Sequence, residues 1–215
     1  MKKVNNYIDT VFAQQDPILE NVIASITEQG MPAISVSPSS GKLLTMLVSL
    51  TGAQDILEIG ALGGYSGICL ARGMADEGAL TSLELEEKYA QLAAQNLANA
   101  GFAEQVTYLT GPALESLESL EKLVADGKRF DFFFIDADKE NYEHYLAYCI
   151  KLANTDALIV TDNVLAAGSV ADPEVTPKRY TAIMKKFNRL VANHPQLESI
   201  LLPIGDGITV SKVKK

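Results

Sequence analysis

Residues able to do chemistry together stand at the ends of two short apolar runs. In FDFFFIDADKENY, Phe130 to Tyr142, the run stops abruptly at Asp136, Asp138 and Lys139. In ALIVTDN, a second run stops at Asp162 and Asn163. Carboxylate and amide oxygens are hard donors, suited to Mg²⁺ first and to Mn²⁺ or Ca²⁺, and poorly suited to zinc or copper. Asp136, Asp162 and Asn163 would leave about three positions of an octahedron for water or substrate. Two adjacent hydroxyls on an aromatic ring fit two of those positions, and a metal lowers the pKa of a hydroxyl it holds. Lys139 would then take the released proton as a general base. The plainer alternative is that the aspartates cap helices while Lys139 pairs with Asp138 or Glu140.

This chemistry requires a fold that carries both acids to one edge. Asp136 and Asp162 are 26 residues apart, the length of one strand–helix–strand crossover, which is right-handed and sets its strands side by side. The same alternation runs along most of the chain. DILEIG, LTSLEL, VTYLT, FDFFFID and ALIVTDN read as buried strands. Between them lie a helix running to about Gly73, then EEKYAQLAAQNLANAG, ALESLESLEKLVADG and NYEHYLAYCIKL. RYTAIMKKFNRLVANH is a late helix, and LESILLPIGDGITVSKV is a pair of antiparallel strands joined through Pro203 to Gly207. Roughly the first thirty residues form a helical N-terminal arm, with Val4, Tyr7, Ile8, Val11 and Phe12 on one helix face. Ser39 or Ser40 is positioned to cap the helix GKLLTMLVSL. The pattern predicts a doubly wound α/β domain spanning residues 1–215.

Open parallel sheets bind ligands beyond the carboxyl ends of their strands. The first such turn is EIGALGGYSG, where Gly60, Gly63 and Gly64 allow close backbone approach to a ligand. From Gly60, Leu62 breaks the G-x-G-x-x-G dinucleotide fingerprint, which disfavours a dehydrogenase. Glu84 ends the second strand, where a carboxylate suits a ribose diol. With Glu58 before the turn and Ser66 at the start of the next helix, the set fits an amino-acid-bearing nucleoside better than a pyrophosphate.

Composition narrows the partners. At 47% hydrophobic, the 215-residue chain has material for a sizeable core, without the roughly 18 to 20 continuous apolar residues of a membrane span. No secretory signal is evident, so the expected setting is cytoplasmic. Cys69 and Cys149 lie far apart in helical patterns and read as core residues. A net charge of -9 opposes a broad nucleic-acid footprint, although Lys178, Arg179, Lys185, Lys186 and Arg189 form a local basic patch. His144 and His194 read as surface or helix-end residues, and GYSG lacks the first glycine of a serine-hydrolase elbow.

VSPSSGKLL, LEIGALGGYSG, LTSLEL, FIDADKENY, VTDN and LPIGDG together resemble the cation-dependent O-methyltransferases that use S-adenosylmethionine, the caffeoyl-CoA and catechol O-methyltransferases and their small bacterial relatives. The resemblance runs from about Met31 to Lys212. It implies a Rossmann-like methyltransferase fold, a seven-stranded, mostly parallel sheet with the last strand antiparallel, and often a homodimer. It implies that Glu58, Gly60, Ala61 and Ser66 hold the methionine part of the cofactor, with Val36 against it. Glu84 would bind the ribose, Ala113 would sit by the adenine, and Asp136 and Asp138 would also touch the cofactor. Asp136, Asp162 and Asn163 would be the metal ligands, Lys139 the base, and Tyr145 a substrate-wall residue. Pro112 stands where relatives carry an acid, and Ala166 to Thr176 match no substrate signature. The expected reaction is methyl transfer to a hydroxyl of a catechol-like small phenolic molecule. Two alternatives remain open, O-methylation of a hydroxylated transfer-RNA base and a nucleoside-binding domain without turnover.

Overall fold

The computed structural model describes residues 2–124 and 127–214. Its strands are β1 (Asp55–Ile59), β2 (Ala79–Glu84), β3 (Val106–Thr110), β4 (Phe130–Ile135), β5 (Ala153–Thr161), β6 (Leu197–Leu202) and β7 (Ile208–Val213). They form one sheet in the order β3-β2-β1-β4-β5-β7-β6. β1 to β5 pair in parallel, while β7 runs antiparallel to both β5 and β6. This is the sheet that the resemblance implies, with the last strand reversed.

The apolar runs become strands because helices cover both faces of the sheet. The helices are α1 (Lys2–Phe12), α2 (Pro17–Glu28), α3 (Pro38–Thr51), α4 (Tyr65–Ala71), α5 (Glu87–Asn99), α6 (Ala113–Leu123), α7 (Tyr142–Leu152) and α8 (Thr181–Ala192). On one face Phe132 and Phe134 pack with α2 to α5, through Val22, Leu44, Ile68 and Leu97. On the other, Phe133 and Ile135 pack with α6 to α8, through Leu117, Leu146 and Phe187. Each fully buried aromatic of β4 contributes roughly 1.5–3 kcal/mol relative to exposure, so this strand anchors both layers.

Several boundaries differ from the sequence reading. The first thirty residues form two helices, separated at Ala13–Asp16. Asp16 caps α2 by accepting from Ile18 and Leu19 amides, and its carboxylate also receives both terminal nitrogens of Arg72. α2 buries Leu19, Val22 and Ile26 in the core, so only α1 stays outside it. The apolar face of α1 is open, with Val4, Tyr7, Val11 and Phe12 at least half exposed. Ser37, not Ser39 or Ser40, caps α3, because Pro38 is pre-set for the first helical position and Ser37 Oγ accepts from the Ser40 amide. β5 begins four residues early at Ala153, passing a register shift and Asp156 at φ 69°. The expected helix at 113–127 ends at Leu123, and Ala125 and Asp126 lie outside the described residues.

Register sets the functional edge. Ile59, Ile135 and Thr161 pair across β1, β4 and β5, so Gly60, Asp136 and Asp162 leave the sheet at one level. The backbone continues the ladder one step further. Asp136 N–H donates to Ile59 O and Asp162 N–H to Ile135 O, both at 3.0 Å. Strand order reverses between β1 and β4, where a crevice opens in such folds.

Candidate active site

The turn after β1 is shaped by what lies behind it. Gly60, at φ 101°, would place a Cβ 2.2 Å from Asp136 O, and Gly63 would place one 2.3 Å from the Ile26 side chain. These glycines permit close approach to other parts of the protein, and Gly60 also lines the crevice. Glu84 Oε2 accepts from the Ala61 and Leu62 amides at 3.1 and 2.8 Å, and its Oε1 accepts from Glu86 N–H. That carboxylate therefore holds the turn, including Leu62 in the left-handed region, as well as lining the crevice. The clamp was not foreseen, and only the position of Glu84 at a strand end hinted at it.

Glu58 departs most from expectation. Its side chain is fully buried beneath the turn, accepting from Ser66 Oγ at 2.5 Å and Ser82 Oγ at 2.6 Å. It does not line the crevice, since β1 turns its side chain into the helix-covered face, and it reaches the cavity only through Ser66. Burial raises its pKa to about 7 against the pull of the two hydroxyls.

A cavity of about 660 Å³ runs over the strand ends. Val36, Gly60, Ala61, Ser66, Glu84, Ala113, Asp136, Asp138, Lys139, Tyr145 and Asn163 all line it. Tyr145 is in this cavity and donates to Asp138 Oδ1 at 2.5 Å, while Asn141 Nδ2 donates to Asp138 Oδ2. A second cavity of about 510 Å³ adjoins it, and Val36 and Asn163 line both while Asp162 lines the second.

Between the cavities, Lys139 Nζ donates to Asp136 Oδ1 and Asn163 Oδ1, each at 2.9 Å, and to Tyr142 OH at 2.5 Å. Tyr142 is fully buried and its hydroxyl donates onward to Asp162 O at 3.2 Å. Two expected ligands from adjacent strands therefore already converge on one cationic atom. Asp162 is 2% exposed, and burial followed by the neighbouring Asp136 charge pushes its pKa well up. A divalent cation would relieve both effects. Among the described residues no group of three histidine, cysteine or acidic side chains forms a metal site. The set here is two carboxylates and an amide, a donor chemistry that fits a hard cation.

Other expectations resolve simply. Cys69 and Cys149 are buried and free, and His144 is exposed. In the basic patch, Arg179 pairs with Glu140 and Lys186 with Glu143. No described helix is long and apolar enough to cross a membrane.

The O-methyltransferase family model matches residues 9–214. The chain belongs to that family. A catechol O-methyltransferase from Niastella koreensis is 37% identical over 99% of this chain and 97% of its own length. Caffeoyl-CoA O-methyltransferase 1 of Eucalyptus globulus is 35% identical over 83% of this chain and 74% of its own. The crystal structure of an O-methyltransferase from Bacillus cereus in complex with SAH superposes with a TM-score of 0.87 at 37% identity, covering 99% of this chain and 97% of that one. This O-methyltransferase is thus an S-adenosylmethionine-dependent enzyme of the catechol and caffeoyl-CoA type.

Proposed function

We propose that the enzyme methylates one hydroxyl of a catechol-like acceptor, with a divalent cation held by Asp136, Asp162 and Asn163 and with Lys139 as the base. The observation that carries this reading is the convergence of Asp136 Oδ1 and Asn163 Oδ1 on Lys139 Nζ at the meeting of the two cavities. S-adenosylmethionine supplies an electrophilic methyl group, and a hard cation supplies Lewis acidity that lowers the pKa of an acceptor hydroxyl.

The chain's own residues do the rest. Glu84 holds the Ala61–Leu62 turn and lines the wall where a ribose would bind, while Ala113 and Val36 offer apolar surface. Asp138 is fixed by Tyr145 and Asn141 in the orientation in which it faces the nucleoside cavity. Lys139 accepts the hydroxyl proton, and Tyr142, anchored on Asp162 O, sets the position of its amine. Positioning both reactants, without a covalent enzyme intermediate, accounts for much of the rate.

The whole chain acts as one catalytic domain in this reading. The exposed apolar face of α1 supports a homodimer, and two buried free thiols accord with a cytoplasmic setting. The paired state of Arg179 and Lys186 favours a small acceptor over transfer RNA. Incubation with S-adenosylmethionine and a catechol panel, with EDTA and with Mg²⁺ restored, tests the assignment. Product formation that ignores chelation would remove the cation from the mechanism.

A further inference from the structure

The turn after β1 is fastened from two sides. Leu62, at φ 49°, sits in the left-handed region, which a leucine keeps only when its surroundings hold it there. On the crevice side Glu84 fixes the amides of Ala61 and Leu62. On the opposite side Asn96 of α5, 8% exposed, donates from Nδ2 to Gly63 O at 2.9 Å. The second hydrogen of the same amide goes to Ser25 Oγ of α2 at 3.0 Å, and Ser25 Oγ donates its own to Val22 O. A Cβ on Gly63 would meet Ile26 of α2, and one on Gly64 would meet Ala93 and Leu97 of α5, so both helices press on the back of the turn.

Asparagine is a poor residue for a helix interior, and burying its amide removes it from water. Two bonds that leave the helix offset both penalties, and one of them reaches the turn. The front of the turn is the crevice wall, where Gly60, Ala61, Leu62, Tyr65 and Ser66 are exposed to a ligand. Asn96 itself lines neither cavity. Without its bond to Gly63 O, Leu62 is free to relax toward ordinary backbone angles, and a ligand would have to order the wall again on binding.

We propose that Asn96 is a positioning residue for the methyl donor, holding the glycine turn in its binding form before the donor arrives. This rests on the reading of the crevice as the seat of S-adenosylmethionine. The bond to Gly63 O carries the role, whereas the bond to Ser25 stitches α5 to α2. The effect belongs in donor affinity, since Asn96 acts from behind the turn and away from both cavities.

The test measures SAH affinity by titration calorimetry, which needs neither acceptor nor turnover. Asn96→Asp keeps the size of the side chain and removes both donated hydrogens. SAH should then bind roughly tenfold or more weakly, the scale of a buried hydrogen bond left unmade. Ser25→Ala removes the other partner of the same amide and keeps the bond to Gly63 O, so SAH affinity should stay near the wild-type value. Amide hydrogen exchange gives a second reading that depends on neither variant. In the empty wild type the Ala61 and Leu62 amides should already exchange slowly, and SAH should slow them little further. Unchanged SAH affinity in a folded Asn96→Asp, or an equal loss in Ser25→Ala, overturns the proposal. Fast exchange of both amides in the empty wild type overturns it whether or not the variants fold. Failure of the wild type to bind SAH would instead sink the placement of the donor in the crevice, and the role of Asn96 with it.

Discussion

Replacing Lys139 with methionine should make the protein bind a divalent cation more tightly, although it removes the proposed base. Lys139 Nζ lies 2.9 Å from both Asp136 Oδ1 and Asn163 Oδ1, so a cation on those oxygens would sit within about 4 Å of the amine. Two positive charges against one at about 4 Å repel by roughly 8 kcal/mol at an effective dielectric of about 20. That exceeds the value of the lysine's contacts, so the ammonium must leave the oxygens when the cation arrives. The penalty that reaches the binding constant is then the loss of those contacts, about 1.5–3 kcal/mol for charge-assisted hydrogen bonds. Lys139→Met should therefore tighten Mg²⁺ or Mn²⁺ binding by roughly tenfold to a hundredfold. Titration calorimetry of the cofactor-free protein, or Mn²⁺ spin resonance, reads this directly and does not depend on turnover. Equal or weaker cation affinity in the variant would refute the shared-oxygen argument. Turnover in the same variant should fall by about a hundredfold or more, the usual scale of general-base catalysis.

Other consequences are equally open to measurement. Because the Glu58 pKa is raised from 4.5 to about 7 in the folded state, its contribution to stability is present below about pH 4.5 and is lost as pH rises to about 7. Glu58→Gln should remove about 3 kcal/mol of that decline, seen as a smaller difference in urea midpoint between pH 4.5 and pH 7.5. Gly60→Ala must fit a Cβ 2.2 Å from Asp136 O at φ 101°, so its melting temperature should drop steeply, and a wild-type value would contradict the packing described. Phe12→Asp, on the open face of α1, should shift the proposed dimer toward monomer in light scattering while leaving the melting curve of each subunit nearly unchanged.

The sheet and the edge acids were legible because β4 and β5 are short apolar runs that stop at polar residues, a pattern that register alone converts into a shared edge. What lay out of reach depended on long-range neighbours. Nothing local in LEIGALGGYSG announces that Gly60 abuts Asp136 O or that Gly63 abuts Ile26. Glu58 and Glu84 both stand at strand ends, yet one side chain is turned under the helices and the other toward the crevice. The early start of β5 was hidden because Asn154, Thr155 and Asp156 have the composition of a turn, and Asn154 is drawn into line by its bond to Asp131. For α1, helical periodicity was visible, but a helix face that stays uncovered has the same spacing as one that packs inward.

Asn5 of α1 bonds to Gly205 in the turn before β7, so the second cavity is stitched from segments 200 residues apart in the chain. Most of the nucleoside crevice is already encoded by Tyr145. A growing chain is therefore expected to have the means to hold its methyl donor well before it has a place for anything to methylate. Catalytic competence would arrive in a single late step, when β7 slides between β5 and β6 and closes the hairpin over α1.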